Sequence, residues 1–177
     1  MIIKGLIDED FVNYKKPSMV IEMPYCNFKC DKEYGKQICQ NSALAQAPNI
    51  EISTVKLIER YINNPITKAV VFQGLEPFDS YPEVWDFIST LRTSYNCDDD
   101  IVIYTGYNEN EKIFTDKCFE VSDKKLNLLE HLSRYKNIII KFGRYNPKKG
   151  IEFKPLKFDE VLGVYLASRN QYAKKIG

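Results

Sequence analysis

Cys26, Cys30 and Cys39 lie in one stretch, PYCNFKCDKEYGKQICQN (24–41), directly after an apolar run that reads as a strand. Three close thiols leaving a buried strand suit an iron–sulfur or zinc site, because thiolates are the soft ligands such metals prefer. Spacing alone leaves ordinary cysteines on a loop, free or disulfide-bonded, as the third reading. A cubane [4Fe–4S] cluster bound by three thiolates keeps one iron without a protein ligand. An open position marks a reactive centre, whereas structural sites are closed by four protein ligands. Cys97 and Cys118 could supply a fourth thiolate. Both are expected beyond helices, away from the strand end, where they read as ordinary thiols.

Gly74-Leu75-Glu76-Pro77 is the second candidate. Glycine permits close backbone approach, and proline after Glu76 keeps the segment extended. Such a strand end can offer carbonyls and a carboxylate to an ammonium group; it can equally be a plain strand-to-helix turn with an exposed glutamate. Tyr104-Thr105-Gly106-Tyr107 reads either as a tight turn with core tyrosines or as a wall for a nucleoside. His131 sits among leucines and reads as structural, so a histidine-based acid–base mechanism has no other candidate.

The elements that must position these residues follow from periodicity. Residues 2–7 read as a short edge strand, and Met19–Tyr25 as a strand that Pro24 ends. From an N-cap at Ser53, Val55, Ile58 and Ile62 share one helical face. Residues 68–73 (KAVVFQ), 101–104 (IVIY) and 137–142 (NIIIKF) are apolar runs expected of strands covered on both faces. Between them, Val84, Phe87, Ile88 and Leu91 recur at helical spacing, and Leu126, Leu129 and Leu132 predict another helix. Residues 108–117 read as a short helix or loop. Residues 146–160 predict an extended surface excursion, 162–167 a last strand and 168–177 a tail.

Strands alternating with helices predict βαβ units and a mostly parallel sheet. The expected fold class is α/β, a partial (open) β/α barrel, since a full eight-fold barrel needs roughly 250 residues. Ligands in such sheets bind beyond the carboxyl ends of the strands. The cysteine loop, GLEP, TGY and GRY all fall there.

With 177 residues, 44% apolar and 28% charged, the chain reads as one domain with an ordinary globular composition. A formal charge of +1 gives no argument for a nucleic-acid or anionic-membrane partner. No apolar stretch approaches the ~20 residues needed to span a bilayer, and MIIKGLIDED lacks a signal peptide's apolar region. These features predict a cytoplasmic protein, where an odd cysteine count with three thiols clustered favours metal over disulfides.

Taken together, the motifs resemble those of radical S-adenosylmethionine enzymes, and more narrowly the activating proteins of anaerobic ribonucleotide reductase. CNFKC (26–30) resembles the start of the radical-enzyme cysteine motif, and Cys39-Gln40-Asn41 resembles its Cys-His-Asn ending. GLEP (74–77) resembles the Gly-Gly-Glu-Pro segment that holds the methionine amino group. DFVNYKKPSM (10–19), YTGY (104–107), KFGRY (141–145) and SRNQ (168–171) resemble blocks of the activating proteins, so the likeness spans most of the chain. Two departures stand out. Leu75 replaces the second glycine, and eight residues, Asp31 to Ile38, separate the second and third cysteines where the family has two. That lengthening costs about 1.2 kcal/mol in closure entropy, against metal–thiolate binding on the order of 10 kcal/mol.

The resemblance implies a single radical-enzyme domain over residues 1–177 with a [4Fe–4S] cluster and S-adenosylmethionine as cofactors. The reduced cluster would cleave the sulfonium to a 5′-deoxyadenosyl radical, which installs a glycyl radical on a partner reductase. It implies Cys26, Cys30 and Cys39 as cluster ligands, Gly74, Leu75 and Glu76 around the methionine amine, and Asn41, Tyr104, Thr105 and Lys141 around the cofactor. The implied partners are the large subunit of anaerobic ribonucleotide reductase and an electron donor such as a flavodoxin or ferredoxin. The rival readings are a radical enzyme serving another glycyl-radical enzyme or a small molecule, and a zinc-binding interaction module.

Overall fold

The computed structural model describes residues 1–111, 114–115, 126–147 and 157–177. Its centre is a six-stranded sheet: β1 (Gly5–Asp10), β2 (Ser18–Met23), β3 (Ala69–Gly74), β4 (Asp100–Tyr104), β5 (Ile138–Phe142) and β6 (Tyr172–Lys175). The strands lie side by side in chain order. β2 to β5 pair in parallel, and β1 and β6 flank them antiparallel. The helices are α1 (Lys29–Tyr34), α2 (Ser42–Gln46), α3 (Thr54–Ile62), α4 (Tyr81–Thr93) and α5 (Leu128–Leu132). This is a mixed α/β fold with a mostly parallel central sheet. No helix among the described residues is long and apolar enough to cross a membrane.

Parallel strands joined in sequence order need crossovers of one hand, which puts the crossover helices on one face. The side chains obey this. Met19, Ile21, Met23, Val70, Phe72, Ile101, Ile103, Ile138 and Ile140 pack with Leu57, Ile58, Phe87, Ile88 and Leu132 of the helices in one buried cluster. The intervening residues Val20, Val71, Val102 and Ile139 point the other way, where Tyr14, Leu162 and Leu166 cover them. Both faces of each inner strand are thus covered, and each reads as a continuous apolar run.

Several expectations need correction. α3 forms where expected, but it buries Leu57, Ile58 and Tyr61, while Val55 and Ile62 are 44% and 43% exposed. The helix is rotated so that Tyr61 reaches the hydroxyl acceptor Asp99, 2.7 Å away. The first strand region is two strands, with residues 2–3 pairing with 50–51 and β1 running on to Asp10. Residues 126–127 are a strand pairing with 114–115, so the helix begins only at Leu128. Within the excursion and last strand, 157–159 and 164–166 pair as a hairpin outside the main sheet. Within the tail lies β6, whose exposed Lys174 and Lys175 suit an edge strand. Cys118 and most of the 146–160 excursion lie outside the described residues.

Candidate metal centre

The strand ends make the floor of the site. Along β2 to β5, the middle residues facing away from the helices are the apolar Val20, Val71, Val102 and Ile139, and at the carboxyl end Glu22, Gln73, Tyr104 and Lys141 take the same side. Glu22 pairs in register with Gln73, and Tyr104 with Lys141. The ladder continues past the strands: Leu75 N–H donates to Met23 O (3.2 Å), Glu76 N–H to Tyr25 O (2.7 Å) and Thr105 N–H to Lys141 O (2.9 Å). GLEP is therefore fixed against the start of the cysteine loop. Gly74 has φ +90°, and a Cβ there would come within 3.0 Å of the Glu22 backbone. This is a position that only glycine fills without strain.

Glu76 is buried, 6% exposed, which overturns the reading of GLEP as a turn with an exposed glutamate. Its carboxylate accepts from Thr105 Oγ1 (2.7 Å), Gly106 N–H (2.8 Å) and Phe78 N–H (3.1 Å). Burial pushes its pKa up to about 7, against the downward pull of those three donors. Lys141 is 8% exposed, and burial pushes its ammonium down to about 8, with Glu76 opposing. Its Nζ donates to Gly143 O (3.2 Å) and stands 5.6 Å from the Tyr104 ring centroid. Two ionisable groups of opposite sign, buried beside a cavity, are characteristic of functional sites.

The cysteine loop forms the other wall. Phe28 adopts φ 51°, and its N–H donates to Cys26 Sγ (3.2 Å). Asn27 Oδ1 accepts from Lys29 N–H (2.9 Å) at the start of α1, which carries Cys30. Gly35, at φ 65°, ends that helix and turns the chain back toward Cys39. Asn41 follows, and its side-chain amide donates to Gly74 O. Burial pushes the Cys26 thiol up to about 12. It also pushes Cys30 up to about 11, with neighbouring Cys39 and Asp31 adding to the rise. Metal binding here would displace thiol protons.

One cavity of about 410 Å³ joins these walls. It is lined by Cys26, Cys30, Cys39, Asn41, Gly74, Leu75, Glu76, Tyr104, Thr105 and Lys141, every site residue singled out from the sequence. Cys97 stands apart, and its backbone carbonyl accepts from Arg92. His131 is buried, with Nδ1 2.7 Å from the Tyr81 hydroxyl. Sequence reasoning missed Glu22, Gln73 and Gln171, which also line the cavity. The signal was there for two of them: a polar residue just before the carboxyl end of a strand whose middle is apolar. Gln171 donates to Gly143 O (3.0 Å), tying SRNQ to KFGRY.

The donor set fits an iron–sulfur cluster: three soft thiol donors line one cavity. Among the described residues, no three Cys, His, Asp or Glu side chains converge as ligands of one ion would. A zinc site needs its sulfurs about 2.3 Å from one centre. A cubane engages each thiolate at a different iron, and Cys26, Cys30 and Cys39 all line one cavity. Comparison with known proteins agrees: residues 18–145 match the family described as a 4Fe-4S single cluster domain. No curated protein and no solved structure matches the chain.

Proposed function

Since the chain belongs to the 4Fe-4S single cluster domain family, we propose that it is a radical S-adenosylmethionine enzyme that activates a glycyl-radical protein, the anaerobic ribonucleotide reductase large subunit. The observation that carries this reading is the single cavity that brings the three-cysteine loop, the GLEP strand end and the blocks YTGY, KFGRY and SRNQ together. Its volume lies within the roughly 300–1,000 Å³ usual for small-molecule sites. The sheet, singly wound in chain order, suits a partial β/α barrel of the radical-enzyme type.

Cys26, Cys30 and Cys39 would hold the cluster. A reduced cluster held there would supply the electron for reductive cleavage of S-adenosylmethionine, the chemistry by which a glycine of the partner would lose its hydrogen. The chain's own part is to bind and orient. The Gly74 and Leu75 backbone, with the one acceptor position Glu76 has left of its roughly four, would take the methionine ammonium. Tyr104, Thr105 and Asn41 would border the remainder. Lys141 offers a buried cation at the cavity floor. The electron would come from a flavodoxin or ferredoxin type of donor.

The test is anaerobic reconstitution followed by reduction with S-adenosylmethionine present. The expected result is about four irons and four sulfides per chain, 5′-deoxyadenosine as product, and a glycyl radical when the reductase is added. Cleavage with no radical on the reductase would move the assignment to another glycyl-radical enzyme or a small-molecule substrate. Stoichiometric zinc without iron would remove the enzyme reading.

A further inference from the structure

The excursion between Cys30 and Cys39 poses a mechanical problem. Neither α1 nor α2 buries any residue, and Cys39, between them, is itself only partly buried, so core packing does little to fix it. Polar bonds do more: Asn41 ties the far end to Gly74 O, and inside the excursion the bonds centre on Asp31. Asp31 Oδ1 accepts from Ile38 N–H (2.8 Å) and from Cys39 N–H (2.9 Å), both partly buried. The same oxygen lies 3.8 Å from Cys30 Sγ, which donates to it. One carboxylate oxygen thus touches the residue carrying the second thiol and the residue carrying the third. Hydrogen bonds to a charged acceptor are the strong kind, and here they offset the closure entropy of the lengthened loop.

We propose that Asp31 is the positioning residue for the third thiol: it closes the Cys30–Cys39 excursion and sets Cys39 beside Cys30 before a cluster is bound. The inference rests on the reading of Cys39 as a cluster ligand. Asp31 acts through the backbone of Ile38 and Cys39, so an asparagine, whose side-chain oxygen can accept the same two N–H groups, replaces it in this role. An asparagine is a poor iron ligand, which separates positioning from coordination. Because no core residue depends on α1, the rest of the fold survives the substitution.

Four proteins decide it: wild type, Asp31→Ala, Asp31→Asn and Cys39→Ala. Two readouts are used, neither of them turnover. The first is iron content after anaerobic reconstitution, with the rate of iron loss to a chelator. The second, on iron-free protein, is the rate at which mild oxidation links Cys30 to Cys39, mapped by peptide mass. Asp31→Ala is expected to lose iron about tenfold faster and to form the disulfide about tenfold more slowly, the effect of two hydrogen bonds. Asp31→Asn stays near wild type in both, and the unfolding midpoint of the iron-free proteins barely moves. Wild-type behaviour of Asp31→Ala in both readouts overturns the proposal. So does an Asp31→Asn protein as iron-poor as Asp31→Ala, which would make the carboxylate a ligand. An iron-replete Cys39→Ala protein would instead overturn the ligand reading, while the disulfide rates still report whether Asp31 closes the loop.

Discussion

On one side of the cavity, Glu22, Gln73, Tyr104 and Lys141 project from strands whose backbones are paired and whose neighbours are almost all buried. On the other, Cys30 rides on α1 and Cys39 lies in the turn between α1 and α2, two short helices that bury nothing and are held by a handful of polar bonds. The first wall is preorganised by the same contacts that stabilise the fold. The second owes its shape to local hydrogen bonds, and its final geometry would be set by a cluster whose binding is worth on the order of 10 kcal/mol. Residues of the floor should therefore couple to global stability, whereas residues of the cysteine wall should couple to cluster retention and little else.

The sharpest way to break this comparison is to exchange the expected effects. Cys39→Ala should lose the cluster and all S-adenosylmethionine cleavage yet leave the unfolding midpoint of the iron-free protein unchanged; Cys97→Ala, outside the cavity, should keep iron and activity. Iron content and 5′-deoxyadenosine yield, measured side by side, decide. Next in size is Glu76→Leu. It strands the Thr105 hydroxyl and the Gly106 and Phe78 N–H groups and leaves buried Lys141 without its counter-charge. A loss of roughly 3 kcal/mol in unfolding free energy is expected even in iron-free protein, read by denaturant titration. An unchanged midpoint would show that the floor is not bound up with the fold.

The smallest effect concerns the rim, where the two walls meet. Burial pushes Glu111 up, but Arg144, Lys29 and the Asn108 N–H override it and hold it at about 2. A depressed carboxyl contributes its stability above the ordinary value near 4.5 and loses it as pH falls toward 2. Wild type should therefore lose stability more steeply than Glu111→Gln between about pH 4.5 and 2. Parallel pH profiles of unfolding for the two proteins would mean that the rim pairs contribute nothing.

How much of this was legible depended on burial. The four parallel strands stood out because both of their faces are covered, which leaves apolar runs with little ambiguity. The buried face of α4 followed from its spacing and matches Val84, Phe87, Ile88 and Leu91. α3 misled because its inward face includes Tyr61, an amphipathic side chain that satisfies its hydroxyl at Asp99, while apolar Val55 and Ile62 are left outside. β6 was read as a tail because an edge strand carrying Lys174 and Lys175 has no apolar run to betray it. In the site, the cysteines and GLEP were marked by residue type. Glu22 and Gln73 were hidden as single polar residues in strands, and the role of Asp31 depends on backbone N–H groups seven and eight positions away.

Strand order has a consequence for how the molecule is made. Each strand of the sheet pairs with its neighbour in sequence, so assembly can proceed from one edge to the other as the chain leaves the ribosome, at about 5–20 residues per second. The cysteine loop emerges early, while the strand that draws Gln171 onto Gly143 arrives last. A nascent chain would thus display its thiols before the cavity behind them is finished. Iron delivered to the growing chain would meet three exposed sulfurs and half a floor, and the completed protein is the form suited to receive it.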